Sequence, residues 1–543
     1  MRRTLTIIIT IFLYNLTQGY AQNWQQGQKL TATDRVMSAK FSKSLDLSGR
    51  IIGVGAHRVG TDVEGKNPLS RAGAVYFYYK DDLGNWGDAQ KVVSSDRREQ
   101  DNFGTSLAVS GGAAIIGAYK RDELDERGQS LYQCGAAYIF ERDETGEWIE
   151  KQKLIAPDKD SLNYFGVSVD IFQDYAVVGA SYRAYSEKNG NRLPQVGAVY
   201  IYQRDTSGKW NIVQEITPPN PEPFALFGWS VAISDSYVVV GAYKEDNGAS
   251  TQDKLVNAGA VYIFRKTNEA TWEYDSRLIA SDRSSGSWFG WDVAVSGQYM
   301  LAGAPQDPYG MSPQEQKNKS GSAYIFKKSS NGNWEEIKKL KAPDWAEEAS
   351  FGYAVDLSGD RVLIGARWED FDANNTEKLN NAGAAYLYQI DNQKKWQFTE
   401  KITPEKRHVN DWFGFSVALD EDEALIGAFS DDYDAMGDHF VNDAGAAYVF
   451  SSTVSTSLTK KTKPIDSMSL FSPNPTSNTV YISGIPGHNY RIWIYDLTGN
   501  LLLSHEYEWN ASIDFGMLSS GIYLAYWTDD MGNKKVQKII LSK

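Results

Sequence analysis

Short runs of apolar, aromatic and β-branched residues recur along most of the chain, separated by clusters of Ser, Gly, Asp and Pro. Four such runs follow one another at Phe165 to Ile171, Tyr175 to Ala180, Gly197 to Tyr202 and Trp210 to Ile216. Their length, composition and turn-like borders predict strands. The 3.6-residue period of an amphipathic helix does not run through them. Four strands make a sheet too small to bury both faces, so it must stack on others of its kind.

The set of four returns at a fixed distance. One Trp recurs as Trp24, Trp86, Trp148, Trp210, Trp272, Trp334 and Trp396, each step being 62 residues. A Phe recurs with the same step as Phe41, Phe103, Phe165, Phe227, Phe289, Phe351 and Phe413. A Gly-Ala pair begins at Gly55 and a second Gly, opening a G-A/S-A/V-Y motif, at Gly73, and both repeat in the same register. Four independent markers thus share one period and a count of seven. Seven small sheets stacked radially form a β-propeller, so the expected fold is all-β, with seven four-stranded blades. Trp24 is of the last-strand type yet precedes the first Phe, and no such Trp follows Phe450. The N-terminal segment is therefore expected to supply the outer strand of blade seven. The repeated Gly residues suit crowded or left-handed backbone, and the Phe and Trp supply apolar area between sheets.

These marks resemble FG-GAP repeats, which form the seven-bladed propeller of integrin α chains and of many bacterial surface proteins. The first unit departs from the pattern, with Phe41-Ser42 in place of Phe-Gly. Some integrin blades hold calcium in a long, Asp-rich hairpin. Here that hairpin is short, as at Leu47 to Arg50, and Asp420-Glu421-Asp422-Glu423 lacks the spaced D-x-D-x-D-G pattern. No cofactor or metal site is assigned; calcium is conceivable, but no motif supports it.

The remaining segments read differently. Residues 1–21 combine a basic start, a short apolar core and a Gly19-Tyr20-Ala21 site, the signature of a signal peptide. The propeller is expected over 22–451, and residues 452–466, rich in Ser, Thr and Lys, read as a linker. Residues 467–543 contain Phe471-Ser472-Pro473-Asn474-Pro475, Ile494 to Gly499 and Leu518 to Tyr523. They resemble the type IX secretion C-terminal sorting domain of Bacteroidetes, which implies a small β-sandwich. It also implies dealings with that secretion machinery, and a mature protein that is secreted or held at the outer cell surface. An ordinary binding sandwich is the alternative.

Composition narrows the partners. The formal charge is −14, and removal of Arg2 and Arg3 with the signal peptide makes it −16. An acidic surface argues against nucleic acid or anionic membrane as partner. No later stretch is long and apolar enough to span a bilayer. Cys134 is the single cysteine, so no disulfide within the chain is possible, and its strand-entry position suggests packing.

Candidate chemistry concentrates in the long loops of the top face, between strands two and three and leading into strand one. Blade four carries two, Pro218 to Pro223 and Tyr243 to Asn257. Asp122, Asp246, Asp370 and Asp432 each fall five residues after the Gly of Gly-Ala. They could form a cation or basic-ligand site, or cap turns through their own side chains. Asp34, Asp96, Asp158, Asp282 and Asp344, seven before the Phe, read as turn residues. Sixteen tryptophans less seven repeat markers leave nine, three of them in the C-terminal segment. Trp229 and Trp291 follow Phe-Gly and are expected to pack between blades. Trp288, Trp345, Trp368 and Trp412 fall in top-face loops, with Tyr309 and Tyr433 nearby, and make the candidate ligand site. The alternative is that these rings pack on neighbouring loops.

No catalytic residue stands out. G-x-S-x-G, H-E-x-x-H and the sialidase Asp-box are absent, and His57, His408 and His439 are scattered. The expectation is therefore a binding or adhesion protein for an extracellular glycan or surface protein, not an enzyme. A polysaccharide-active enzyme, glycosidase or lyase, and a purely structural surface protein are the alternatives.

Overall fold

Alternating and continuous apolar runs fold here into seven antiparallel four-stranded sheets. The computed structural model describes residues 22–186, 190–250, 252–267, 271–310 and 314–454 of the propeller. Beyond it, residues 471–472, 479–482, 489–495, 501–508, 512–515, 518–529 and 534–541 are described. The expected signal peptide and all but the first three residues of the linker lie outside the described residues.

Blade three shows the plan: Phe165–Phe172, Tyr175–Ala180, Ala198–Arg204 and Trp210–Ile216, hydrogen-bonded in that order from channel to rim. Its second strand is buried from Ala176 to Ala180, because a blade covers each face. Its rim strand is buried only at Trp210 and Ile216. First strands of neighbouring blades touch all the way round, blade seven against blade one included, so the sheets close into a ring. Gln22–Leu30 pairs antiparallel with Ala446–Val454, Trp24 lying opposite Ser452. The N-terminal strand is thus the rim strand of blade seven, as the Trp register predicts. The chain is a seven-bladed, all-β propeller.

The repeat markers hold blade to blade. Trp148 of blade two stacks on Phe77 of blade one at 4.1 Å, and its backbone exchanges two hydrogen bonds with the Gln90 side chain. Gly135 sits at φ +88°, where a Cβ would lie 2.1 Å from the carbonyl oxygen of Phe165 in the next blade. A Cβ on Gly117 would lie 2.0 Å from the Gly166 carbonyl oxygen. Close approach of the blades, as well as backbone conformation, therefore requires glycine at both.

Contacts separate the chain into a unit ending at Ser455 and another beginning at Thr456. In the second, a three-stranded sheet contains Thr479–Ile482 and Ser512–Asp514, and a four-stranded sheet contains Asn489–Tyr495 and Gly521–Asp529. Ile513 and Phe515 share one core with Ile492, Ile494 and Ile539, so the two sheets pack as a small sandwich. Among the described residues no helix is long and apolar enough to cross a membrane.

Candidate functional site

The seven first strands surround an open central channel enclosing about 530 Å³. Two residues after each repeat Phe, the chain reaches the channel's top mouth. Those positions hold Lys43, Thr105, Val167, Trp229, Trp291, Tyr353 and Phe415, and all line the channel. Trp229 and Trp291 are therefore not packed between blades. The repeat Phe takes that place, and the pairing register shifts just after it, as between Phe351 and Ala354, where Gly352 has φ +86°, so the residue two further on lines the channel instead.

The large rings at this mouth form one continuous arc. Trp229 lies 5.1 Å from Trp291 and 4.9 Å from Tyr243, centroid to centroid. Trp288 stacks on Trp291 at 5.2 Å and 18°. The arc continues from Trp291 to Tyr353 at 5.4 Å, from Tyr353 to Phe415 at 5.2 Å, and from Phe415 to Phe429 at 4.1 Å. Trp412 faces Phe429 at 5.9 Å and Trp368 at 6.4 Å. On the other side Tyr164 meets Tyr119 at 5.3 Å and Tyr182 at 4.4 Å. Trp229, Trp288, Trp291, Tyr353, Trp368 and Trp412 all keep part of their surface open.

Trp288 and Trp412 have left-handed backbones, φ +62° and +57°. So do Lys40, Asn102, Tyr164, Leu226 and Ser350 at the same register. The conformation is thus a requirement of the loop that enters every blade. The choice of Trp at two of the seven places is not a backbone requirement.

Cations interleave with the rings. The Arg367 guanidinium lies 3.7 Å from the Tyr353 ring and 4.1 Å from that of Trp368. Lys43 Nζ stands 5.2 Å from the Phe415 ring, and Lys40 Nζ 4.7 Å from that of Phe429. These are cation–π distances. Burial lowers the Lys43 pKa to about 8, helped by repulsion from Arg367 and Arg58 and opposed by Asp292. Buried His57 is held well below its ordinary pKa, first by desolvation and then by Lys43, Arg58, Arg71 and Lys40.

Below the mouth the channel wall carries Asp46, Asp170, Asp292 and Asp356. Each carboxylate accepts one backbone N–H from its own strand and one from the next blade. Asp170 takes Ile171 at 2.8 Å and Ile233 at 2.7 Å. Asp46 takes Leu47 at 2.8 Å and Val109 at 2.6 Å, and Asp356 takes Leu357 at 2.7 Å and Leu419 at 2.6 Å. One two-oxygen acceptor thus serves two blades, and Ala108, Ala232 and Ala418 occupy the same register in the blades so served. Blade five is the odd one, and Asp292, two residues earlier, bonds Val293 and Val355 there. Burial raises the pKa of Asp170 to about 8, Asp356 to about 7, and Asp46 and Asp292 to about 6. All four residues stay partly open to the channel.

The loop candidates divide. Trp288, Trp368 and Trp412 meet at the mouth. Trp345 does not join them: it packs against the core between blades five and six, beneath Lys317 at 4.5 Å and Lys341 at 5.1 Å. Tyr309 forms a bridge with Gln316 in its own loop, and Tyr433 stacks on His408 at 4.3 Å. Asp122, Asp246, Asp370 and Asp432 accept the backbone N–H of Gln133, Asn257, Asn381 and Asp443, at 2.6–2.8 Å. Each thereby braces its own loop eleven residues on. Asp96 and Asp282 accept the hydroxyls of Tyr138 and Tyr324, and in blades four and seven Glu245 and Asp431 receive the tyrosine instead. Cys134 is buried, and burial pushes its thiol up to about 11. No group of three or more His, Cys, Asp or Glu among the described residues is arranged to hold a metal ion.

Sequence reasoning missed Tyr119, Tyr164, Tyr182, Tyr243 and the channel aspartates. Their signal is positional: Asp46, Asp170 and Asp356 each lie five residues past the repeat Phe.

Comparison with known families agrees with this architecture. The FG-GAP repeat model matches residues 86–140, 148–202, 210–264, 272–326, 334–388 and 396–450. Each match runs from a rim strand to the third strand of the next blade. The secretion system C-terminal sorting domain matches residues 471–542. No curated protein matches the chain.

Proposed function

Because this chain belongs to the FG-GAP repeat family, and its sorting domain directs export by the type IX route to the cell surface or the medium, we propose that it is a secreted binding protein whose propeller mouth recognises an extracellular glycan or protein. The observation that carries this reading is the arc of partly open rings from Trp229 to Trp412. A soluble protein seldom leaves so much contiguous aromatic surface to water unless a partner covers it. The arc is held in place, since its rings contact one another and the loops of blades two, four, six and seven are each braced by an aspartate. A site that is ordered in advance loses less entropy on binding.

Catalysis by the channel is the second reading, because Asp170 and Asp356 have the raised pKa of a general acid. Against it, both oxygens of each carboxylate already hold backbone N–H groups. A hydrolase needs a pair free to face one bond. The test is a panel of polysaccharides and surface proteins offered to the mature chain and to a Trp288→Ala, Trp291→Ala variant. Capture by the first and not the second supports the reading. Ligand turnover that Asp170→Ala abolishes would replace it.

A further inference from the structure

Most of the cations beside the rings at the mouth make no ion pair; Lys40, which meets Asp443 at 2.6 Å, is the exception. Lys43, Arg58, Arg71, Lys120, Lys244 and Arg367 make no ion pair among the described residues, although the chain holds 69 acidic side chains against 55 basic ones. Below the top loops the opposite holds. Arg121 meets Asp96, Asp101 and Glu123, Lys339 meets Asp282 and Asp307, and Lys401 meets Asp344 and Glu369. Arg58, Lys120 and Lys244 stand three residues after the Gly of Gly-Ala in blades one, two and four, the same register each time.

These charges act on one another and share one place. Lys43 lines the channel and is repelled by Arg367 and Arg58. Arg58 and Arg71 act on Tyr119, which also lines it. Like charges gathered without ion-pair partners cost stability unless something else favours them, and Asp292 offsets this only in part at Lys43. An anion seated at the mouth would supply what is missing.

We infer that the mouth takes an anionic saccharide, an oligosaccharide with carboxylate or sulfate groups, its ring faces on Trp291 and Tyr353 and its acid groups against Lys43, Arg58 and Arg367. The inference rests on the mouth being the binding site. Partly open ring faces suit the C–H face of a sugar, which an acidic peptide lacks. A nucleic acid strand needs cations spaced along a groove that tracks its backbone. Here Lys43 lines one opening of about 530 Å³, a volume on the scale of small-ligand pockets, and Arg58 and Arg367 act on that lysine from nearby, while the four aspartates of the wall bond backbone N–H groups below. The net charge of −14 repels a long polyanion lying across the surface, so the chain end or a short oligomer enters.

The test is titration of the mature, full-length protein, followed by tryptophan fluorescence and calorimetry at low and high salt. The probes are tetragalacturonate, a sulfated galactan tetrasaccharide, a neutral galactan tetrasaccharide, octathymidylate and a tetraglutamate peptide. One or both acidic sugars should bind more tightly than the neutral one, and more weakly as salt rises. Which of the two binds separates uronate from sulfate recognition. Lys43→Gln and Arg58→Gln, neither of which breaks an ion pair, should each weaken that binding about tenfold or more without lowering the melting temperature. Equal binding of the neutral sugar, or charge variants without effect, would overturn the anionic inference and leave the binding site standing. Tighter binding of octathymidylate or peptide would overturn the saccharide class. No binding of any probe by the folded protein would overturn both.

Discussion

If the ring closes where its blades are least alike, replacing Ser42 with glycine should stabilise the protein. Six blades place Gly after the repeat Phe, and blade one alone places Ser42 there. Its φ is +68°, the left-handed region that costs a non-glycine residue about 1–2 kcal/mol. Its hydroxyl is buried without a hydrogen-bond partner among the described residues, which costs a further ~1–3 kcal/mol. Glycine removes both terms, and the added freedom of the unfolded chain returns about 0.4–1 kcal/mol. The net expectation is a gain of roughly 1–5 kcal/mol. For so long a chain that appears as a rise of a few degrees in Tm, read from near-ultraviolet circular dichroism of the tryptophans. Gly104→Ser in blade two is the mirror experiment. There φ is +81° and a Cβ would lie 2.6 Å from the Ala74 carbonyl oxygen, so Tm should fall. A neutral or lowered Tm for Ser42→Gly, with Gly104→Ser behaving as expected, would refute the reasoning. The seam would then depend on the Ser42 hydroxyl.

Other consequences follow from the charges and the closure. Asp170, Asp356 and Asp46 have folded pKa values above the unfolded value, so their contribution is fullest below about pH 4. It is lost as pH rises through about 6 to 8, and Asp170→Ala should flatten the fall of Tm over that window. Arg121 is 1% exposed and touches three carboxylates, of which Asp96 and Glu123 also meet Lys153, so Arg121→Ala should cost about 3–5 kcal/mol in thermal or denaturant unfolding by leaving the buried Asp101 without its cation. Deleting residues 22–30 removes the rim strand of blade seven, and should expose Phe450 and Tyr448 to a hydrophobic dye. Acidic-ligand binding should weaken above pH 8 as Lys43 loses its proton, and Lys43→Gln should remove that dependence in a titration series.

The fold was legible because its markers are obligatory. A Cβ at Gly117 or Gly135 has no room, and a smaller residue at Phe165 or Trp210 would open the space between blades, so these residues return at every 62nd position. The seam was legible for the same reason, through the one Trp out of place. The site was legible only in part, because the mouth varies from blade to blade. Trp288, Trp368 and Trp412 stood out as tryptophans outside the register, but so did Trp345, and nothing local separates a ring at the mouth from one over the core. Trp229 and Trp291 were hidden by their neighbours: adjacent to Phe-Gly, they share its segment but not its direction. The tyrosines of the arc are invisible in a chain with 32 of them. The unpaired cations could not be read at all, since pairing is a property of three-dimensional neighbours and the overall charge points the other way.

The central claim is one of place: ligand is held at the channel mouth and not elsewhere on the loops. The direct measurement is affinity of the mature protein for its best glycan or protein ligand, with Trp291→Ala and Trp345→Ala compared side by side. Trp291 lies in the arc, whereas Trp345 packs on the core beneath two lysines. The account predicts that Trp291→Ala loses binding while its circular dichroism stays that of the folded parent at the assay temperature, and that Trp345→Ala binds as the parent does. Binding that survives Trp291→Ala and fails in Trp345→Ala would contradict it and move the site to the outer loops of blade five.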